Sequence, residues 1–152
     1  MELSAEGLDL LKRSEGFRSR RYLDSAGKPT IGYGHRIIDS ESFPDEIDEA
    51  RAELMLRVDI RVAEQAVDRL VRVPLSQGQF DALADFCFNL GSRRLAASTL
   101  LAELNSGRYS AAAVELLRWD HAGADEIAGL KARREAEFRL WTEYGPRATT
   151  RS

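Results

Sequence analysis

Apolar residues recur at helical spacing along most of the chain, and the one clear break in that period lies near the N-terminus. Leu3 before Ser4, with Leu8 four positions after it, is the start signal of a helix: a serine N-cap with a hydrophobic staple. Gly16 is placed to stop that helix. Glu15 is therefore predicted at a helix's C-terminal end. From Arg20 to Gly34 the helical period disappears. "RYLD" and "PTIGYG" read as two short strands joined by a polar turn around Gly27, with Asp24 and Thr30 flanking the turn.

"IIDSESFPDEID" is rich in turn formers, and from Asp48 onward the helical period resumes until Pro74 ends it. This stretch predicts a short helix followed by a longer one. In "PLSQGQFDALADFCFNLG", Ser76 and Gln79 form a capping box, Leu75 can staple to Phe80, and Gly91 terminates. Phe80, Leu83, Ala84 and Cys87 share one face. Three more helices are predicted around "TLLAELNSG", "SAAAVELLRW" and "LKARREAEFRLW", broken at Gly107 and at a turn in "HAGAD". The predicted class is α+β, mostly α: a small hairpin lobe and a larger helical lobe after Pro74, with a cleft between them.

Composition narrows this picture without redirecting it. A chain of 152 residues is the size of one domain, and 43% hydrophobic with 31% charged residues is ordinary for a soluble globular protein. A net charge of -3 and a pI near 5.5 give no overall drive toward nucleic acid or an anionic membrane. Cys87 is alone, so no intramolecular disulfide is possible, and its apolar surroundings mark it as a buried small hydrophobe. "MELSAEGLDLLKRSEG" has neither a basic n-region nor an uninterrupted apolar stretch, so neither a signal peptide nor a membrane anchor is expected.

Paired carboxylates are the natural machinery of glycoside hydrolysis: one donates a proton to the leaving oxygen while the other handles charge or activates water. Glu15 and Asp24 are candidates. With 25 acidic residues in the chain, spacing alone does not separate them from ordinary surface charges. Context does more, because Glu15 precedes Gly16 and Phe17, Asp24 sits between Leu23 and a turn, and Thr30 enters a glycine-rich strand.

"LLKRSEGFRSRRYLDSAGKPTIGYGH" resembles the catalytic segment of phage-type lysozymes, the T4 lysozyme-like endolysin family, with its pattern E-x8-D-x5-T intact. "VPLSQGQFDALADFCFNLG", "STLLAELNSG" and "GLKARREAEFRLW" are similar to family segments in the same order, so the resemblance covers nearly the whole chain. It implies a two-lobed lysozyme-like fold in a single domain. Residues 14–58 would be the hairpin lobe, 59–73 a connecting helix and 74–152 the helical lobe, with the 1–13 helix packing against the last.

The resemblance implies a muramidase that hydrolyses the β-1,4 bond between N-acetylmuramic acid and N-acetylglucosamine in bacterial peptidoglycan. Glu15 becomes the general acid, Asp24 the carboxylate that orients or activates water, and Thr30 the hydroxyl that helps hold that water. Inversion is expected, with the carboxyls roughly 6.5–9.5 Å apart. Arg36, Phe88, Asn89 and Thr99 match cleft-lining positions, and one of Arg133 and Arg134 is expected to position Glu15. Tyr33 and His35 read as hairpin packing. No cofactor or metal, no nucleic acid and no stable membrane insertion are expected. The protein would be a monomer, held in the bacterial cytoplasm until a separate holin releases it to the wall. A lytic transglycosylase and a non-catalytic peptidoglycan-binding domain are the alternatives. Two departures from the family pattern, Arg36 after "GYGH" and "HAGADEIAGL" at a usual glycine-rich turn, bear on subsite preference.

Overall fold

The first helix starts where its cap predicts: the Ser4 carbonyl accepts from the Leu8 amide at 2.9 Å, and its hydroxyl accepts from the Gly7 amide at 3.2 Å. In the computed structural model, which describes residues 1–122 and 125–143, this helix, α1, spans Ala5–Glu15. Gly16 closes it at φ +72°, a conformation that costs a side-chain-bearing residue energy, and its N–H donates to the Lys12 carbonyl at 2.9 Å.

Strands β1 (Arg18–Leu23), β2 (Pro29–Gly32) and β3 (His35–Arg36) follow as an antiparallel sheet in that order. The hairpin pairs Tyr22 with Thr30, and Thr30 in turn faces Arg36. The sequence predicts two strands; the third is only two residues long, too short to leave a period-2 signal.

Helix α2 (Glu49–Leu70) is one continuous element of 22 residues, not the short helix and longer helix expected. Asp48 caps it by accepting from the Arg51 amide at 2.8 Å, and no Gly or Pro interrupts it before Pro74. Helix α3 (Gln77–Leu90) has the predicted capping box in both halves: Gln79 N–H to Ser76 Oγ at 3.1 Å and Ser76 N–H to Gln79 Oε1 at 2.9 Å. The expectation of a single buried face understates this helix, because every residue from Gly78 to Cys87 is buried, Asp81 and Asp85 included. It is a central helix, surrounded on all sides.

The rest of the chain forms α4 (Ser92–Ala96), α5 (Thr99–Asn105), α6 (Tyr109–Leu116), a two-stranded ladder of β4 (His121–Ala122) with β5 (Asp125–Glu126), and α7 (Ala128–Glu143). The predicted "HAGAD" turn falls at Gly123 and Ala124, outside the described residues. The chain divides into two compact units, Met1–Leu10 with Val62–Ser152 and Leu11–Arg61. Leu11, Ile31, Tyr33, Ile47, Ala52, Leu56 and Ile60 fill the smaller core. In the larger unit, Phe80, Leu83, Phe86, Leu100 and Leu104 are fully buried, each burial contributing about 1.5–3 kcal/mol. Phe86 meets Trp119 edge-on at 5.5 Å.

Candidate active site

Glu15 is the last residue of α1 and is half-buried. Its carboxylate lies against the turn that joins β2 to β3: a Cβ added at Gly34 would come within 2.8 Å of Glu15 Oε2. Gly34 also has φ +71°, so the backbone favours glycine there, and an added methyl group would have to push the Glu15 carboxylate aside. Gly34 of the sequence motif thus backs this glutamate, whereas Gly32 lies against Ala52 and Ile47.

Asp24 sits at the end of β1, where the chain turns. Its backbone N–H donates to the Lys28 carbonyl at 2.9 Å, and its carbonyl accepts from the Gly27 N–H at 2.9 Å. Its Oδ1 accepts from the backbone N–H groups of Lys28 at 2.8 Å and Ala26 at 2.9 Å, and Arg36 Nη2 approaches Oδ2 at 3.4 Å. The Lys28 amide first, then the Ala26 amide and the Arg36 guanidinium, hold the Asp24 carboxyl below the usual carboxylate value. Asp24 is therefore ionised at neutral pH.

Thr30 is buried on β2, and its hydroxyl donates to the Lys28 carbonyl at 2.9 Å. Since Tyr22 and Arg36 are its neighbours across the two ladders, Asp24, Thr30, Arg36 and Tyr22 converge on one end of the sheet. No motif in the sequence singles out Tyr22. Its phenol is pushed up, foremost by burial and also by the negative charges of Glu15 and Asp24, so it senses both carboxylates. Arg18 stacks over its ring at 4.4 Å. Alternation along "RSRRYLD" was the signal available: two residues before Asp24, Tyr22 shares that residue's side of the strand.

His35 is structural, as expected. Nδ1 lies 2.7 Å from Asp59 Oδ2 and Nε2 lies 3.0 Å from the Glu41 carboxylate, tying β3 to α2 and to the loop before it. Burial acts to lower its pKa, but the hydrogen bonds to Asp59 and Glu41 outweigh it and the imidazole is raised. Tyr33 is buried and packs on Phe17 at 5.6 Å.

The remaining sequence candidates belong to the helical unit. Phe88 and Asn89 lie in the last turn of α3 and are half-exposed; Thr99 opens α5 and is exposed. Asn89 Oδ1 accepts from Arg134 Nη2 at 2.8 Å. Arg133 binds Asp85 through Nε at 2.9 Å and Nη2 at 3.0 Å, and Arg134 pairs with Glu137 at 2.7 Å, all four side chains being buried. Both arginines are thus built into the packing of α7 on α3; the sequence, which leads one to expect one of them to position Glu15, does not announce their bonds to Asp85 and Glu137.

A mostly helical chain with a small antiparallel sheet, and two carboxylates held beside that sheet, defines the lysozyme class of fold. Residues 12–137 match the family described as phage lysozyme. The endolysin of Salmonella phage P22 is 42% identical over 137 residues, spanning 88% of this chain and 94% of the relative. The endolysin of Acyrthosiphon pisum secondary endosymbiont phage 1 is 39% identical over 145 residues, spanning 93% and 98%. Among solved structures, a P22 lysozyme mutant superposes with a TM-score of 0.84 at 41% identity, covering 93% of this chain and 98% of that one. The muramidase domain of SpmX from Asticaccaulis excentricus gives 0.83 at 34% identity, covering 93% and 97%. The chain belongs to the phage lysozyme family. It is a glycoside hydrolase of the muramidase type, and its substrate is the peptidoglycan of the bacterial cell wall.

Proposed function

We propose that Glu15, Asp24 and Thr30 carry out peptidoglycan hydrolysis with inversion at the anomeric carbon of N-acetylmuramic acid. Glu15 gives its proton to the glycosidic oxygen as the bond from that oxygen to the anomeric carbon breaks. A water attacks the opposite face and loses a proton to Asp24 as the new bond forms. The observation that carries this reading is the cradle around Asp24, where two backbone amides and Arg36 keep an ionised carboxylate in a fixed direction.

Thr30 fits as the second holder of the water. Its own proton is committed to the Lys28 carbonyl, so toward a water it can only accept. A water that donates one proton to Asp24 and the other to Thr30 has its lone pair left for the anomeric carbon. Arg36, Phe88, Asn89 and Thr99 are proposed sugar contacts. Arg36 has a second role through its approach to Asp24, where it tempers the charge that the base presents.

The same reading has the protein work as a monomer, made in the bacterial cytoplasm and released to the wall by a separate holin. NMR detection of the first-formed anomer from a defined wall oligosaccharide tests the mechanism. The inverted anomer is expected. Predominant retained anomer overturns the inverting assignment, and an anhydro-sugar product found by mass spectrometry replaces hydrolysis with transglycosylation.

A further inference from the structure

Helix α2 leaves a row of large apolar side chains in water. Leu54, Val58 and Val62 follow one another at four-residue steps, and each keeps more than half of its surface exposed, at 66%, 58% and 72%. Four-residue steps keep all three on one side of the helix, and Arg61, Gln65 and Arg69, all exposed, continue the same side. This is an amphipathic surface pattern on a helix whose opposite side supplies Ala52, Leu56, Ile60, Ala63 and Val67 to the interior.

Its charge is equally uneven. Beyond the first turn of α2, its carboxylates already have partners: Glu53 binds Lys12 Nζ at 2.6 Å, Asp59 binds His35, and Glu64 accepts from the Leu3 amide at 2.7 Å. Asp68 binds the N-terminal ammonium at 3.0 Å. Although the chain as a whole carries a net charge of -3, the exposed face of α2 presents arginine beside bare valine and leucine.

We propose that this face of α2 docks the protein, peripherally and reversibly, on a bilayer rich in anionic lipid. Arginines meet the headgroups while Leu54, Val58 and Val62 enter the headgroup–acyl boundary. No helix among the described residues is long and apolar enough to cross a membrane, so α2 lies along the surface. A soluble polyanion would satisfy the arginines and leave the apolar row in water. A second copy of the same face would cover the apolar row and bring arginine against arginine. Of these three, lipid satisfies both halves of the pattern. The proposal is independent of the catalytic reading, because none of these residues belongs to the active site.

Flotation with vesicles of phosphatidylglycerol and phosphatidylethanolamine, beside vesicles of phosphatidylcholine alone, tests it at low and at physiological salt. The wild type is expected to float with the anionic vesicles at low salt, less at physiological salt, and not with phosphatidylcholine. Each arginine contributes roughly fivefold to partitioning, so Arg61→Gln with Arg69→Gln should weaken it by more than an order of magnitude. Val58→Ser with Val62→Ser should abolish it. Both variants change exposed positions and should keep wild-type wall clearing and melting temperature. Failure of the wild type to float, equal binding to both vesicle types, or undiminished flotation of either variant overturns the proposal. So does dimerisation by light scattering that the valine substitutions abolish, or binding to dextran sulfate that survives those substitutions while lipid binding is absent.

Discussion

Two carboxyl groups in this molecule are held in opposite ways. Asp24, at the hairpin turn, is open to solvent and takes its hydrogen bonds from the backbone amides of Lys28 and Ala26. Glu137, on α7, is fully buried among Asp85, Arg133 and Arg134. The turn amides lower the pKa of Asp24, whereas burial first, and then the charge of Asp85, raise that of Glu137 well above its ordinary value against the pull of the two arginines. A backbone turn can thus fix a charged, reactive carboxylate where water still reaches it, while a buried cluster spends its charges on holding two helices together. The first arrangement suits chemistry on a water molecule; the second suits structure.

The buried cluster is the more costly of the two to disturb. Asp85→Ala leaves the Arg133 guanidinium without the carboxylate that binds it through two nitrogens, and should cost about 3–5 kcal/mol of stability in urea titrations. A loss within the range of an ordinary surface substitution would show that the cluster adds little. The hairpin side is fixed by backbone geometry, so a single methyl group should disturb it. Gly34→Ala places a Cβ within 2.8 Å of Glu15 Oε2 at a φ of +71° and should cost about 1–3 kcal/mol, with a larger proportional loss of wall clearing than of stability. Wild-type activity and stability in that variant would contradict the close approach.

The smallest effect is the most diagnostic, because it has opposite signs at the two sites. Asp24 has a lowered folded pKa, so its contribution is present above the unfolded value and is lost as pH falls through the folded one. Glu137 has a raised folded pKa, so its contribution is present below the unfolded value and is lost as pH rises through the folded one. Thermal unfolding across pH should therefore show the wild type's advantage over Asp24→Asn shrinking toward acid, and its advantage over Glu137→Gln shrinking toward neutrality. Slopes of the same sign would refute the assignment.

These contrasts also explain what the sequence could reveal. Local signals are written in a few adjacent residues and can be read directly: Ser4 and Gly16 bracket α1, Ser76 and Gln79 cap α3, and Asp24 sits at its turn. The E-x8-D-x5-T pattern is legible only through its resemblance to phage-type lysozymes, since spacing alone does not separate Glu15 and Asp24 from the other acidic residues. Long-range pairing is not legible. Nothing near Asp85 announces Arg133, which is 48 positions away, and "FDALADFCF" hides that α3 is buried on every side. The third strand leaves no period because it is two residues long, and the two helices expected after Asp48 are one unbroken α2.

The roles of Glu15 and Asp24 are tested most directly by clearing of a peptidoglycan suspension with the wild type, Glu15→Gln and Asp24→Asn, each first checked for native fold by circular dichroism. Both variants are expected to fold and to lose activity by about a hundredfold or more. Undiminished clearing by a folded Glu15→Gln would contradict the assignment of the general acid and, with it, the mechanism.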